Sequence, residues 1–220
     1  MGTRITSLAN NFDTTGKLKA AGINNASLSG ITALPSGANA GKMTLLSTQT
    51  ASASASLSFT SGLDSTYDAY CFKFINIHPG TDNVTLQFQG STDGGSNYNT
   101  TMTTTVFIAK HHEDDSATQL VYRAGQDQAQ GTNYQTISEE DGADNDQNTS
   151  GELWLYNPSS TTYVKHFMSR ISVAHSADRA TDVYAAGYFN TTSAINAVDF
   201  KFTSGNIDAG TIKLFGVSTS

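Results

Sequence analysis

From about residue 42 onward, apolar and polar residues alternate with a period of two, in short runs separated by Asn, Asp, Gly and Ser. A period of two puts successive side chains on opposite faces of an extended backbone, so each run predicts a β-strand. Eleven runs qualify: Met43–Gln49, Ala55–Thr60, Tyr67–Ile77, Val84–Gln89, Thr101–Lys110, Gln119–Arg123, Glu152–Asn157, Tyr163–Ala174, Val183–Asn190, Ala197–Thr203 and Thr211–Val217. Many short strands with turn signals between them, and no helical period, predict an all-β antiparallel sandwich. Alternation also assigns faces. Phe72 shares one with Phe74; Val84, Leu86 and Phe88 share another; Phe200 and Phe202 flank Lys201, and Ile212 and Leu214 flank Lys213. One strand is apolar on both sides, with Leu153 and Leu155 opposing Trp154 and Tyr156. Its first face suits a second sheet, and its other face calls for a neighbouring subunit or a loop.

Residues 1–41 follow a different pattern. Leu18, Ile23, Leu28, Ile31 and Leu34 stand singly between polar residues, Phe12 is the stretch's one aromatic, and Gly16, Gly22, Gly30, Gly37 and Gly41 interrupt it. Isolated apolar side chains on an extended polar backbone cannot build a core, but they can dock one by one on a partner. The expectation is an extended N-terminal arm, with those five residues as its assembly contacts, followed by a sandwich over residues 42–220.

Composition supports the strand reading. The chain holds 25 Ser, 30 Thr and 16 Asn, about a third of its 220 residues. Ser and Asn compete with helices for backbone hydrogen bonds, and Thr fits a pleated sheet. Charged residues make up only 14%, and the net charge is −7. The 12 Lys and Arg are scattered. Phosphate backbones and anionic membranes are bound by clustered cations, so neither nucleic acid nor a membrane is an expected partner. The single cysteine, Cys71, lies in an apolar run and reads as a small buried hydrophobe. The first residues, Met1-Gly2-Thr3-Arg4-Ile5-Thr6-Ser7, contain no apolar run of signal-peptide length and fit a myristoylation pattern only formally. No window approaches the ~18 apolar residues of a membrane span. Synthesis in a cytoplasm, with departure only inside a particle, is the expectation.

Three segments carry candidate chemistry. Ser91-Thr92-Asp93-Gly94-Gly95-Ser96-Asn97-Tyr98 has the shape S-x-D-x-G-x-x-aromatic, which resembles the Asp-box turn of sialidases. That feature is structural there, and here it predicts a reinforced hairpin. His111-His112-Glu113-Asp114-Asp115 has the residue types of a metal site, but neighbours on a strand face opposite ways, so a solvated strand end is expected. A cation held at a subunit axis is the alternative. The acidic run 139–146 could supply oxygen ligands to calcium but misses the EF-hand spacing, so a flexible surface loop is expected. No pair of carboxylates is marked as convergent, and no nucleophile elbow, zinc helix or phosphate loop occurs. No enzyme and no cofactor are expected.

The segments Phe12–Gly16 and Ile23–Thr32 resemble connector regions of bacteriophage fibre proteins. Together with Ser91–Gly95, Tyr188–Thr191 and the closing Gly210-Thr211-Ile212-Lys213-Leu214-Phe215-Gly216, they are similar to jelly-roll virion proteins of tailed phages, marine phages among them. The resemblance implies a jelly-roll-like sandwich at the virion surface, assembled in the host cytoplasm as a homotrimer. Its partners would be other virion proteins and a host surface glycan or receptor. It brings no catalytic residues. A tail-fibre appendage anchored by the arm is the first expectation. A capsid decoration or cement protein is the alternative, and a free carbohydrate-binding module using Tyr98, Tyr134 and Tyr163 stands behind both.

Overall fold

The computed structural model describes residues 43–217, all of them in strands, turns and connecting segments. The assembly-arm residues Leu18, Ile23, Leu28, Ile31 and Leu34 lie outside the described residues. Among the described residues, no helix is long and apolar enough to cross a membrane.

Among the described residues, twelve strands form two antiparallel sheets. They are β1 (Met43–Thr50), β2 (Leu57–Phe59), β3 (Ala69–Pro79), β4 (Leu86–Ser91), β5 (Met102–His112), β6 (Thr118–Tyr122), β7 (Gln135–Thr136), β8 (Thr149–Tyr156), β9 (Lys165–His175), β10 (Arg179–Phe189), β11 (Ala197–Phe202) and β12 (Ile207–Val217). The larger sheet has eight strands in the order β1-β12-β3-β8-β9-β10-β5-β6, and the smaller has four in the order β2-β11-β4-β7. All eleven runs that alternation marks contain a strand. The two-residue β7 went unmarked because it is too short to display a period.

The inner faces pack as alternation requires. Phe200 of the small sheet meets Phe72 and Phe74 of the large one, each with ring centroids 5.1 Å apart. Phe88 meets Phe167 at 4.9 Å. Most of these contacts are edge-to-face, the arrangement that ring quadrupoles favour. Leu153 and Leu155 are fully buried in the same core. Gly90 is required by this packing, because a Cβ there would sit 2.7 Å from the Phe189 ring.

The smaller sheet cannot reach across the whole of the larger one. Beyond β6, the chain pairs with the part of β5 that β6 leaves free, Met102 exchanging backbone hydrogen bonds with Gly131. It then crosses to β7. Gln135 pins this crossover from a fully buried position: its amide nitrogen donates to the Gln126 and Thr136 carbonyls, and its oxygen accepts from Thr104 Oγ1. Residues 137–142 continue from the small sheet to the end of β9, with backbone bonds from Ile137 to Leu86 and from Gly142 to Ala174. That segment closes the sandwich where no small-sheet strand lies.

Candidate functional site

The two outer faces of the sandwich differ in kind. On the small sheet, Ser58, Asp199 and Gln89 form a row across β2, β11 and β4. Loops cover this row. Gln89 donates to the Thr132 and Asn133 carbonyls, and Asp199 accepts from Ser58 Oγ at 2.5 Å and Tyr134 OH at 2.9 Å. Lys201 lies over the Tyr134 ring, 4.0 Å from its centroid. Burial and the Asp199 charge push the Tyr134 phenol upward. Tyr98 packs beside this cluster, its hydroxyl oxygen buried over Gly95. Tyr98 and Tyr134 therefore hold a covering layer in place. The three-tyrosine platform weighed for a free carbohydrate-binding module is not assembled, and only Tyr163 stands open, at 71% exposed.

The turn that carries Tyr98 has the internal bonds expected of its Asp93, but it is not a hairpin: it joins β4 of the small sheet to β5 of the large one, and these two strands do not pair. Asp93 takes hydrogen bonds from Ser91 Oγ at 2.6 Å, Asn97 N at 2.9 Å and Asn97 Nδ2 at 2.7 Å, while Gly94 and Gly95 adopt positive φ. These donors hold the Asp93 carboxyl down, at about 2.

The outer face of the large sheet has no such cover among the described residues. Nine large apolar side chains are exposed in residues 43–217, and all but Tyr163 project from this face. Met43 and Leu45 stand on β1, Ile75 on β3, Phe107 on β5, Leu120 and Tyr122 on β6, Tyr156 on β8, and Met168 on β9. Trp154 and Tyr156 stack here at 15°, on the opposite side of β8 from Leu153 and Leu155. The strand that sequence marked as apolar on both faces is thus buried on one and half-open on the other.

Strand register sets a row of polar and aromatic side chains across all eight strands: Thr48, Lys213, Lys73, Glu152, Arg170, Tyr184, Phe107 and Tyr122. Lys73 and Glu152 pair with each other within it, and Arg170 pairs with a neighbouring carboxylate. Lys73 bonds Glu152, which also accepts from Trp154 Nε1 at 2.9 Å, and the Lys73 ammonium holds the Glu152 carboxyl below its usual range. Arg170 bonds Asp182 through Nε at 3.0 Å and NH2 at 2.8 Å, and lies 5.2 Å from the Tyr184 ring centroid. Tyr184 in turn stacks on Phe107 at 4.7 Å. Cys71 sits fully buried beneath this face, its thiol pushed up to about 12 by desolvation, as its reading as a packed hydrophobe requires.

The acidic run 139–146 departs from expectation. Its first three carboxylates are not on a flexible surface loop. Glu139 is 2% exposed and pairs with Arg123; Glu140 Oε2 lies 2.7 Å from His175 Nε2 and 3.2 Å from Arg179; Asp141, 1% exposed, accepts from Ser138 and Thr149. They close the open end of the sandwich, because residues 137–142 must carry the chain there and the ends of β6, β9 and β10 present cations and an imidazole. Burial pushes Asp141 up to about 6. Burial and the Arg179 charge bring His175 down to about 4, against the pull of Glu140. Asp144 and Asp146 remain outside, near Glu113 and Asp178. His111 Nε2 lies 2.9 Å from Asp115, both exposed at the end of β5. Among the described residues, no group of three or more His, Cys, Asp or Glu is arranged to hold a metal ion.

No family model, no curated protein and no solved structure matches this chain.

Proposed function

We propose that this chain is a structural protein of the surface of a tailed-bacteriophage virion, a fibre-type appendage built as a homotrimer and anchored through residues 1–41. The observation that supports this reading is the contrast between the two outer faces. Two loops cover the small sheet, while the large sheet presents eight exposed apolar side chains on one surface. Exposed apolar side chains concentrated on one face mark contact with other macromolecules. Two ion pairs there, Lys73 with Glu152 and Arg170 with Asp182, occupy the charged groups at the middle of the face, which suits a packing surface better than a reactive centre. Low charge and abundant hydroxyls suit a protein that works outside the cell, and a host-surface glycan or receptor is the proposed distal partner.

The testing experiment is a deletion of residues 1–40 in the producing phage. The truncated chain should be soluble, with unchanged far-ultraviolet circular dichroism, and should be missing from purified particles. Particles that still carry it at the normal level would overturn the anchoring role.

A further inference from the structure

The distribution of charge among the strands of the large sheet is inverted. Sheet edges present unpaired backbone groups, and proteins ordinarily blunt them with charged residues or proline. Here every interior strand carries a charged residue: β12 Lys213, β3 Lys73, β8 Glu152, β9 Arg170, β10 Asp182 and β5 Lys110. The edge strands β1, Met-Thr-Leu-Leu-Ser-Thr-Gln-Thr, and β6, Thr-Gln-Leu-Val-Tyr, have neither charge nor proline. They also hold some of the sheet's most exposed apolar side chains, Leu120 at 73%, Tyr122 at 54% and Leu45 at 52%. Among the described residues, both edges of one sheet thus lack charge and proline, and β1 is interrupted only by the register shift between Leu45 and Ser47.

We propose that these edges meet each other in neighbouring copies, β6 of one chain pairing with β1 of the next, so that the large sheets join into a closed ring. The inference rests on the homo-oligomeric reading above and names its contact. Three features support it. All neighbours in the sheet are antiparallel and the strands number eight, so β1 and β6 run in opposite directions and their junction continues an antiparallel ladder. Leu45 projects to the same face as Leu120 and Tyr122, so joining the edges makes them cross-strand neighbours, the pairs that stabilise sheets. Pairing either edge with itself would satisfy one and leave the other bare, whereas a head-to-tail contact uses both and ends when the ring closes.

The test is disulfide mapping on the full chain. Leu45→Cys, Leu120→Cys and the double variant are oxidised mildly; the native Cys71 is fully buried and does not compete. The expected result is a covalent ladder in the double variant that stops at a closed number. Each single variant alone should stay uncross-linked, and a mixture of the two should give heterodimers. Dimers from either single variant alone would overturn the proposal, as would a monomer from the unsubstituted chain in sedimentation velocity. As a second arm, Leu120→Lys should convert the oligomer to monomer without changing the circular dichroism; an unchanged oligomer would count against the junction. Loss of the ring with the chain still on particles removes only this inference. An intact ring on a chain missing from particles removes only the virion reading.

Discussion

Asp141→Asn and His175→Gln separate two proton linkages that oppose each other inside the fold. Asp141 is pushed from 3.8 up to about 6 by burial, so the folded state favours its neutral form. A raised carboxyl contributes stability that is fully present below its unfolded value and lost as pH rises through the folded one. The shift of about two units corresponds to roughly 3 kcal/mol. His175 runs the other way, from 6.5 down to about 4, so its contribution is present above its unfolded value and lost as pH falls. Between about pH 4.5 and 6 both groups titrate in the folded state or the unfolded one, each with a slope of about 1.4 kcal/mol per pH unit and opposite sign. In the parent protein the two slopes largely cancel. Asp141→Asn leaves the histidine, and stability measured by urea unfolding should climb across that window relative to the parent. His175→Gln keeps a donor toward Glu140 and leaves the aspartate, and stability should decline with pH relative to the parent. Parallel profiles for the two variants would refute the assignment of buried charge to this end of the sandwich.

Other expectations follow from single contacts. Phe200→Ala removes the ring shared by Phe59, Phe72, Phe74 and Phe88 and should cost about 3–5 kcal/mol in urea unfolding; a loss below about 1 kcal/mol would contradict the packing. Gly90→Ala places a methyl against the fully buried Phe189 and should cost about 1–3 kcal/mol by the same assay. Cys71 should resist a thiol-specific disulfide reagent in native buffer and react at once in denaturant, since burial hides the thiol and opposes the thiolate; rapid native labelling would show that its strand opens.

Strands and their inward faces were legible in the sequence because alternation is imposed locally, by the pleat. Phe72, Phe74, Leu153, Leu155, Phe200 and Ile212 all turn inward as their spacing requires. The double-sided strand around Trp154 also pointed to the bare outer face. What the sequence hid was set by long-range placement. Glu139, Glu140 and Asp141 read as a solvated acidic loop because nothing local announces Arg123, His175 and Arg179, which arrive from β9, β10 and the end of β6. Lys165, at the start of β9, is fully buried with its ammonium donating to the Thr191 carbonyl at 3.0 Å, a partner that no local pattern announces. Tyr98 and Tyr134 have the residue type of a binding platform, and only the position of Asp199 turns them into a cover. The uncharged edges were written in the sequence, but strand order is needed to know that β1 and β6 are edges at all.

Where the chain sits on a particle tests the account most directly. Gold-labelled antibody raised against the folded sandwich, applied to intact purified phage, should decorate a defined surface structure at a constant number per particle. Intact and disrupted particles that both carry no label, while the infected cell contains the protein, would contradict it.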